Sequence, residues 1–183
     1  MKKTKYFLPL LIPAFFLCAC EPQLQYSIIP EITEYTGFEY YIDEYFNSPK
    51  GTLSFTFTDG DGDVGLSEAD TMSPFDRNSE YHYNLYIFYY EKQHGEFVKI
   101  ETSQPLHTRI PMLSNYTPES IEVKFSIDLD LNPFSEFDTI QLEFFIYDRE
   151  LHKSNVIVTP ELVLPREKNS GRANKWISRR IEE

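Results

Sequence analysis

Apolar and polar residues alternate along several stretches of this chain, as they do in β-strands that bury one face. The clearest stretch is 51–58 (GTLSFTFT), where leucine and phenylalanine occupy one face and serine and threonine the other. Tyrosine and phenylalanine are abundant, at 13 and 15 residues, which favours strands over helices. The pattern predicts strands at residues 26–33, 51–58, 83–90, 97–100, 121–129, 139–147 and 155–164, with weaker candidates at 38–46 and 110–113.

Turn-forming residues separate these segments, and the sequence between residues 26 and 165 has no convincing helical periodicity. About seven strands with this spacing predict an all-β domain at 26–165, an antiparallel immunoglobulin- or fibronectin III-like β-sandwich. A closed barrel is the alternative. Pro30 and Pro160 fall in the first and last segments, which favours edge positions because proline cannot donate a ladder hydrogen bond.

The N-terminus has the zones of a secretory signal peptide. Lysines at positions 2, 3 and 5 precede an apolar run of roughly 14 residues, shorter than the ~20 that a membrane-spanning helix needs. We therefore expect residues 1–19 to be a signal peptide. The segment Leu17-Cys18-Ala19-Cys20 resembles a bacterial lipobox, which implies a lipidated Cys20 that anchors the mature chain to a membrane, with residues 20–25 as a tether. The alternatives are a plain secretory signal that is cut somewhere after Ala19 and an uncleaved anchor.

Composition limits the remaining possibilities. The chain has two cysteines; one would leave with the signal peptide and the other would carry lipid, so we expect a domain without disulfides. The formal net charge is −12, and loss of the signal lysines makes the mature chain more negative. This acidity argues against nucleic-acid binding and is compatible with cation binding. The four histidines lack zinc-ligand spacing and no nucleophile motif is present, so we expect a non-enzymatic protein.

A short acidic segment follows the strand predicted at 51–58. Asp59, Asp61 and Asp63 alternate with Gly60 and Gly62, which allow the chain to coil tightly. Three crowded carboxylates repel one another, and a hard dication removes that cost. Because calcium takes six to eight oxygen ligands in a flexible shell, the segment is a candidate calcium loop. The alternative is a tight, solvated turn without metal.

A second turn supplies further oxygen ligands. In a sandwich of this type, strands 51–58 and 139–147 run toward the same end of the domain, so the turns that follow them lie close together. Asp148 and Asn155 would then join Asp59, Asp61 and Asp63 around one cation. The loop also resembles an EF-hand, with Asp70 at the last ligand position, but it is flanked by predicted strands rather than helices.

Several motifs together resemble a broad group of Bacteroidetes lipoproteins: the lipobox, FTDGDGDVGL after a strand, and YDRELHKSN followed by VIVTPEL. The resemblance covers roughly residues 17–165 and implies an immunoglobulin-like sandwich in the bacterial cell envelope, lipid-anchored at the outer membrane. We expect a calcium-binding interaction or accessory module with a protein or glycan partner. The alternatives are a glycan-binding lipoprotein of a polysaccharide-uptake system, for which the tyrosines at 81, 83, 86, 89 and 90 are candidates, and a hydrolase that uses acidic residues.

The last segment, 166–183, differs from the domain in being basic. Ala173, Trp176, Ile177 and Ile181 recur at helical spacing. The tail is interpreted as a solvated terminus, as a short helix that docks its Trp176 face on the sandwich, or as a contact with a partner.

Overall fold

The computed structural model describes residues 26–102, 104–112 and 120–165, and this part of the chain is an antiparallel β-sandwich. The predicted signal peptide at 1–19, Cys20, the predicted tether and the basic tail lie outside the described residues. Among the residues described, no helix has the length and hydropathy needed to cross a membrane. The strands are β1 (Glu31–Asp43), β2 (Ser48–Asp59), β3 (Leu85–Gln93), β4 (Glu96–Ile100), β5 (Ile121–Asp130), β6 (Thr139–Ile146), β7 (Ile157–Val158) and β8 (Leu162–Val163).

The strands form two sheets. One has the order β1-β2-β5, and the other has the order β4-β3-β6-β7 with β8 also paired to β6. All these pairings are antiparallel. The predicted sandwich requires two packed antiparallel sheets, and the structure has them: a three-stranded sheet faces a sheet built on β3 and β6. The predicted fold class is confirmed.

The alternating residues of β2 build the centre of the core. Leu53, Phe55 and Phe57 are fully buried. The Phe55 ring lies 5.0 Å from the ring of Phe144 on β6, which joins the two sheets, and 5.6 Å from Phe125 on β5. The period of two residues therefore determines which face of β2 points inward.

Three predicted segments differ from the structure by more than a few residues at their ends. Residues 26–30 are not in a strand, since β1 begins at Glu31 and continues to Asp43 through two register shifts. The segment predicted as a single last strand is divided into β7 and β8, and Pro160, which cannot donate a ladder bond, lies between them. No strand forms at 110–112, the described part of a weak candidate; the nearest pairing is an isolated bridge between Thr108 and Leu85.

Replacing Phe55 with alanine is expected to lower the free energy of unfolding by about 3–5 kcal/mol, because the fully buried ring would leave a cavity between the sheets. Chemical denaturation of the soluble chain beginning at residue 21 measures this change. The control is Phe134→Ala: this ring is 88% exposed, so its removal should change stability by less than about 0.5 kcal/mol. Equal effects of the two substitutions would contradict the assigned core.

Candidate metal centre

The first carboxylate of the site stands at the end of β2. Asp59 is the last residue of the strand and its exposed fraction is 0%. The chain then turns through Gly62, whose φ of 68° is a conformation that glycine adopts without strain. This turn brings Asp63 back to the strand end, where its amide donates to Asp59 Oδ2 at 2.9 Å. The glycine-spaced segment therefore folds two acidic side chains into the interior.

The second contribution comes from the turn after β6. Asp148 is 3% exposed and is held by the loop that follows it. The backbone amide of His152 donates to Asp148 Oδ1 at 2.8 Å, and His152 Nδ1 lies 2.8 Å from Oδ2. The backbone amide of Arg149 donates to the carboxylate of Asp63, which connects this turn to the one after β2.

Asp59, Asp63 and Asp148 form a buried acidic triad that could hold a metal ion. One potential ligand atom from each residue lies within 4.8 Å of those of the other two. Asp59 Oδ1 and Asp63 Oδ1 are buried and have no hydrogen-bond partner among the described residues. A buried acceptor without a donor is costly, and a bound cation satisfies such an acceptor.

Electrostatics makes this arrangement unfavourable without a positive charge. At an effective dielectric constant of about 20, each ionised pair at this separation costs roughly 3–4 kcal/mol. Burial, together with the charges of Asp61 and Asp63, raises the pKa of Asp59 to about 7. Burial and the charge of Asp148 raise the pKa of Asp63 to about 6. Burial also raises the pKa of Asp148, although the bonds from His152 oppose the increase. The triad therefore needs protons or a cation.

The other predicted ligands occupy different positions. Asp61 is not part of the compact triad, but its Oδ1 is buried without a partner among the described residues and its charge acts on all three members. The Asn155 amide instead pairs with the backbone of β1: its oxygen accepts from Ile32 N at 2.7 Å and its nitrogen donates to Ile32 O at 2.9 Å. This gives Asn155 a structural role at the sheet edge.

The EF-hand resemblance is not reflected in the position of Asp70. Its carboxylate accepts two hydrogen bonds from the Arg149 guanidinium, at 2.8 and 3.0 Å, and two more from Ser67. These interactions hold the pKa of Asp70 well below its usual range. Asp70 thus forms an ion pair with Arg149 of the turn after β6, and it does not belong to the acidic triad.

Sequence reasoning missed two arginines, Arg109 and Arg149, that organise the long irregular segment between β2 and β3. This segment, residues 60–83, is called the excursion below. The Arg109 guanidinium donates to the carbonyl oxygens of four excursion residues at 2.7–3.0 Å, namely Ser67, Asp70, Phe75 and His82. Arg149, besides its bonds to Asp70, donates to the Gly65 carbonyl at 3.1 Å. Such contacts have no sequence signature, because an arginine far along the chain supplies donors to backbone carbonyls.

Three of the five candidate tyrosines, Tyr81, Tyr83 and Tyr86, take part in an aromatic cluster on the outer face of the β3–β6 sheet, whereas the Tyr90 hydroxyl donates to Glu143. Tyr86 stacks on Phe145 with ring centres 5.2 Å apart and planes 9° apart. The Lys153 ammonium lies 3.6 Å from the centre of the Phe145 ring, so it covers one ring face. Beside the cluster lies a groove of about 850 Å³, lined by Tyr83, Tyr86, His107 and polar residues of the excursion. Tyr89 faces the other way, into the core.

The metal-free chain is expected to lose stability as the pH rises from about 5 to about 8. The folded-state pKa values of Asp59 and Asp63 lie above the value of 3.8 of an unperturbed aspartate, so the folded state binds more protons in this range and unfolding becomes easier as they are released. Thermal melting in chelator should show a decrease in Tm of roughly 5–10 °C. The matched variant Asp59→Asn should flatten this dependence, and a Tm that rises with pH in the unmodified chain would contradict it.

Comparisons with known proteins leave the site to be interpreted from its own geometry. No protein-family model matches the chain, and searches of curated proteins and of solved structures also gave no match.

Proposed function

We propose that the chain is a cell-envelope lipoprotein, anchored through Cys20, whose β-sandwich acts as a non-enzymatic, calcium-binding interaction or accessory module. The observation that carries the proposal is the buried triad of Asp59, Asp63 and Asp148, with acceptor atoms that lack donors among the described residues. Protein interiors rarely contain three adjacent carboxylates unless they are paired or coordinate a metal.

The chemistry of the donors favours calcium. All three triad side chains offer carboxylate oxygens, and Asp61 adds a fourth carboxylate, one oxygen of which is buried without a hydrogen-bond partner in the part of the chain that the structure describes. Hard cations take oxygen ligands, whereas zinc and copper favour nitrogen and sulfur. Backbone carbonyls of a coiled glycine-rich turn can complete the flexible shell of six to eight oxygens that calcium accepts, and magnesium demands stricter geometry.

The ion would have a structural role. Asp59 and Asp63 belong to the turn after β2, and Asp148 to the turn after β6, so a shared cation joins the two sheets at one end of the sandwich. From the turn after β6, Arg149 also binds the 60–83 excursion, at the Gly65 carbonyl oxygen and the Asp70 carboxylate. Bound calcium therefore fixes the wall of the groove beside Tyr83, where a partner could bind.

Membrane anchoring rests on the lipobox-like residues Leu17-Cys18-Ala19-Cys20 that follow the apolar run. Acyl chains on Cys20 would hold the protein at the envelope, and we place it at the outer membrane by resemblance to Bacteroidetes lipoproteins. Stable anchoring requires more than one acyl chain, as a lipoprotein cysteine supplies.

Glycan binding is the second candidate function, favoured by the groove. Its lining combines aromatic Tyr83 and Tyr86 with the polar side chains of Thr71, Arg77 and Ser79, a mixture suited to a sugar ring and its hydroxyl groups. The stacked pair of Tyr86 and Phe145 offers less surface for stacking against a sugar ring, because Phe145 is only 7% exposed.

Calcium at about 100-fold excess over its Kd is expected to add about 2.7 kcal/mol to the stability of the soluble chain, since it binds the folded state alone. In thermal melts at pH 7.5, Tm should rise by roughly 5–10 °C over the chelated sample. Calorimetric titration should detect one ion per chain and weaker binding of magnesium.

The matched variants are Asp63→Asn and Asp130→Asn. Asp63 belongs to the triad, so its neutralisation should abolish the calcium effect while the metal-free variant melts no lower than the unmodified chain. The side chain of Asp130 is 79% exposed and pairs with Lys50 at the opposite end of the sandwich, so this variant should keep the calcium effect. If the chain is folded and saturating calcium leaves its Tm unchanged, calcium binding is refuted.

Replacing Cys20 with serine is expected to abolish acylation, because the thiol that carries the lipid is lost. The full chain, expressed in a bacterium that processes lipoproteins, should float with vesicles, and mass spectrometry should find acyl groups on the N-terminal peptide. The serine variant should carry no acyl group, and the chain beginning at residue 21 should remain in the soluble fraction. A full chain without acyl groups, or flotation of the chain that begins at residue 21, would contradict anchoring through Cys20.

A further inference from the structure

The described chain begins at the end of the sandwich that carries the acidic triad, which we call the acidic pole. The Tyr26 amide donates to Ser120 Oγ at 2.8 Å, immediately before β5. Tyr26 also lies against the glycine-spaced acidic segment that follows β2, residues 59–65, which we call the metal loop. A Cβ added to Gly60 would be 2.5 Å from the Tyr26 carbonyl oxygen. Glycine at position 60 is therefore required for the close approach between the entering chain and the loop.

The distance from this entry point to Cys20 is limited by covalent geometry. Six residue steps separate Cys20 from Tyr26, and at full extension they span about 20 Å. The sandwich itself is longer: β2 runs from one end to the other through 12 residues, which corresponds to about 36 Å. A chain anchored at Cys20 thus keeps its acidic pole near the bilayer, whatever path residues 20–25 take.

The entry segment also carries exposed aliphatic side chains. Ile28 and Ile29 are 53% and 49% exposed, and Ile28 lies beside the metal loop because its backbone nitrogen would be 2.8 Å from a Cβ at Gly60. Met112, 43% exposed, lies against Gly65 on the same loop. Aliphatic groups beside a membrane anchor lower their free energy by entering the boundary between headgroups and acyl chains.

We infer that the acidic pole, with Ile28 and Ile29, rests on the lipid bilayer, and that the metal centre lies at the membrane-proximal end of the domain. This inference rests on the proposed lipid anchor at Cys20. It goes further in assigning the partner of this surface, a lipid bilayer, and the direction of the domain. The opposite end, with Phe134 and Tyr45 each 88% exposed, then points away from the membrane.

The orientation can be measured with one fluorophore on the acylated protein. The mature chain has no other free cysteine, because Cys18 leaves with the signal peptide and the Cys20 thiol carries lipid. Ile29→Cys and Phe134→Cys introduce matched labelling sites on exposed residues at opposite ends. Each labelled protein is bound in calcium buffer to phosphatidylethanolamine and phosphatidylglycerol vesicles, with and without a nitroxide-bearing headgroup lipid, and flotation is recorded on the same samples.

We expect quenching by the nitroxide lipid to be several-fold stronger for the label at position 29 than for the label at position 134. Equal quenching at both positions, or stronger quenching at 134, in protein that floats with the vesicles would overturn the orientation and leave the anchor intact. Failure to float would overturn the anchor and the orientation together. The same two labelled variants of the soluble chain beginning at residue 21, which contains no other cysteine, supply the unquenched reference.

Discussion

Repulsion between buried carboxylates governs the acidic pole of this domain. Asp59, Asp63 and Asp148 are placed together by the ends of β2 and β6, and the burial that gives the sandwich its core also removes the water that would screen them. The cost of three ionised pairs, roughly 10 kcal/mol, is comparable with the net stability of a whole domain. The hydrogen bonds and packing around the triad must therefore hold the three carboxylates together against this repulsion.

That support consists mostly of backbone. The amides of Asp63 and His152 donate to triad carboxylates, and the Arg109 guanidinium binds carbonyl oxygens along the excursion. A loop organised in this way does not need its own apolar core, which suits a segment as polar as residues 60–83. The guanidinium groups of Arg109 and Arg149 bind the excursion. Asp59 Oδ1 and Asp63 Oδ1 have no hydrogen-bond partner among the described residues and can accept an ion.

The periodicity of the sequence was sufficient to predict the sandwich and the buried face of β2, because alternation along a strand is a local property. The meeting of Asp148 with Asp59 was also predictable, since it depends only on the direction of two strands. The partner of Asn155 was not predictable. Its bonds to Ile32 depend on how the two bulges in β1 shift the N-terminal end of that strand along β2. The role of Arg109 likewise depends on where a long irregular segment passes, and no residue pattern records that path.

The two ends of the described chain leave the sandwich at opposite poles. Tyr26 lies beside Gly60, whereas Leu164 donates to the carbonyl oxygen of Asp138 at the start of β6. A pull between an anchored N-terminus and anything held beyond residue 165 would act along the strands. The ladder bonds between β1 and β2 lie across that direction, so they would be loaded in shear and share the force instead of opening one after another. A force along this axis would therefore meet the β1–β2 pairing in the direction in which an antiparallel ladder resists separation best.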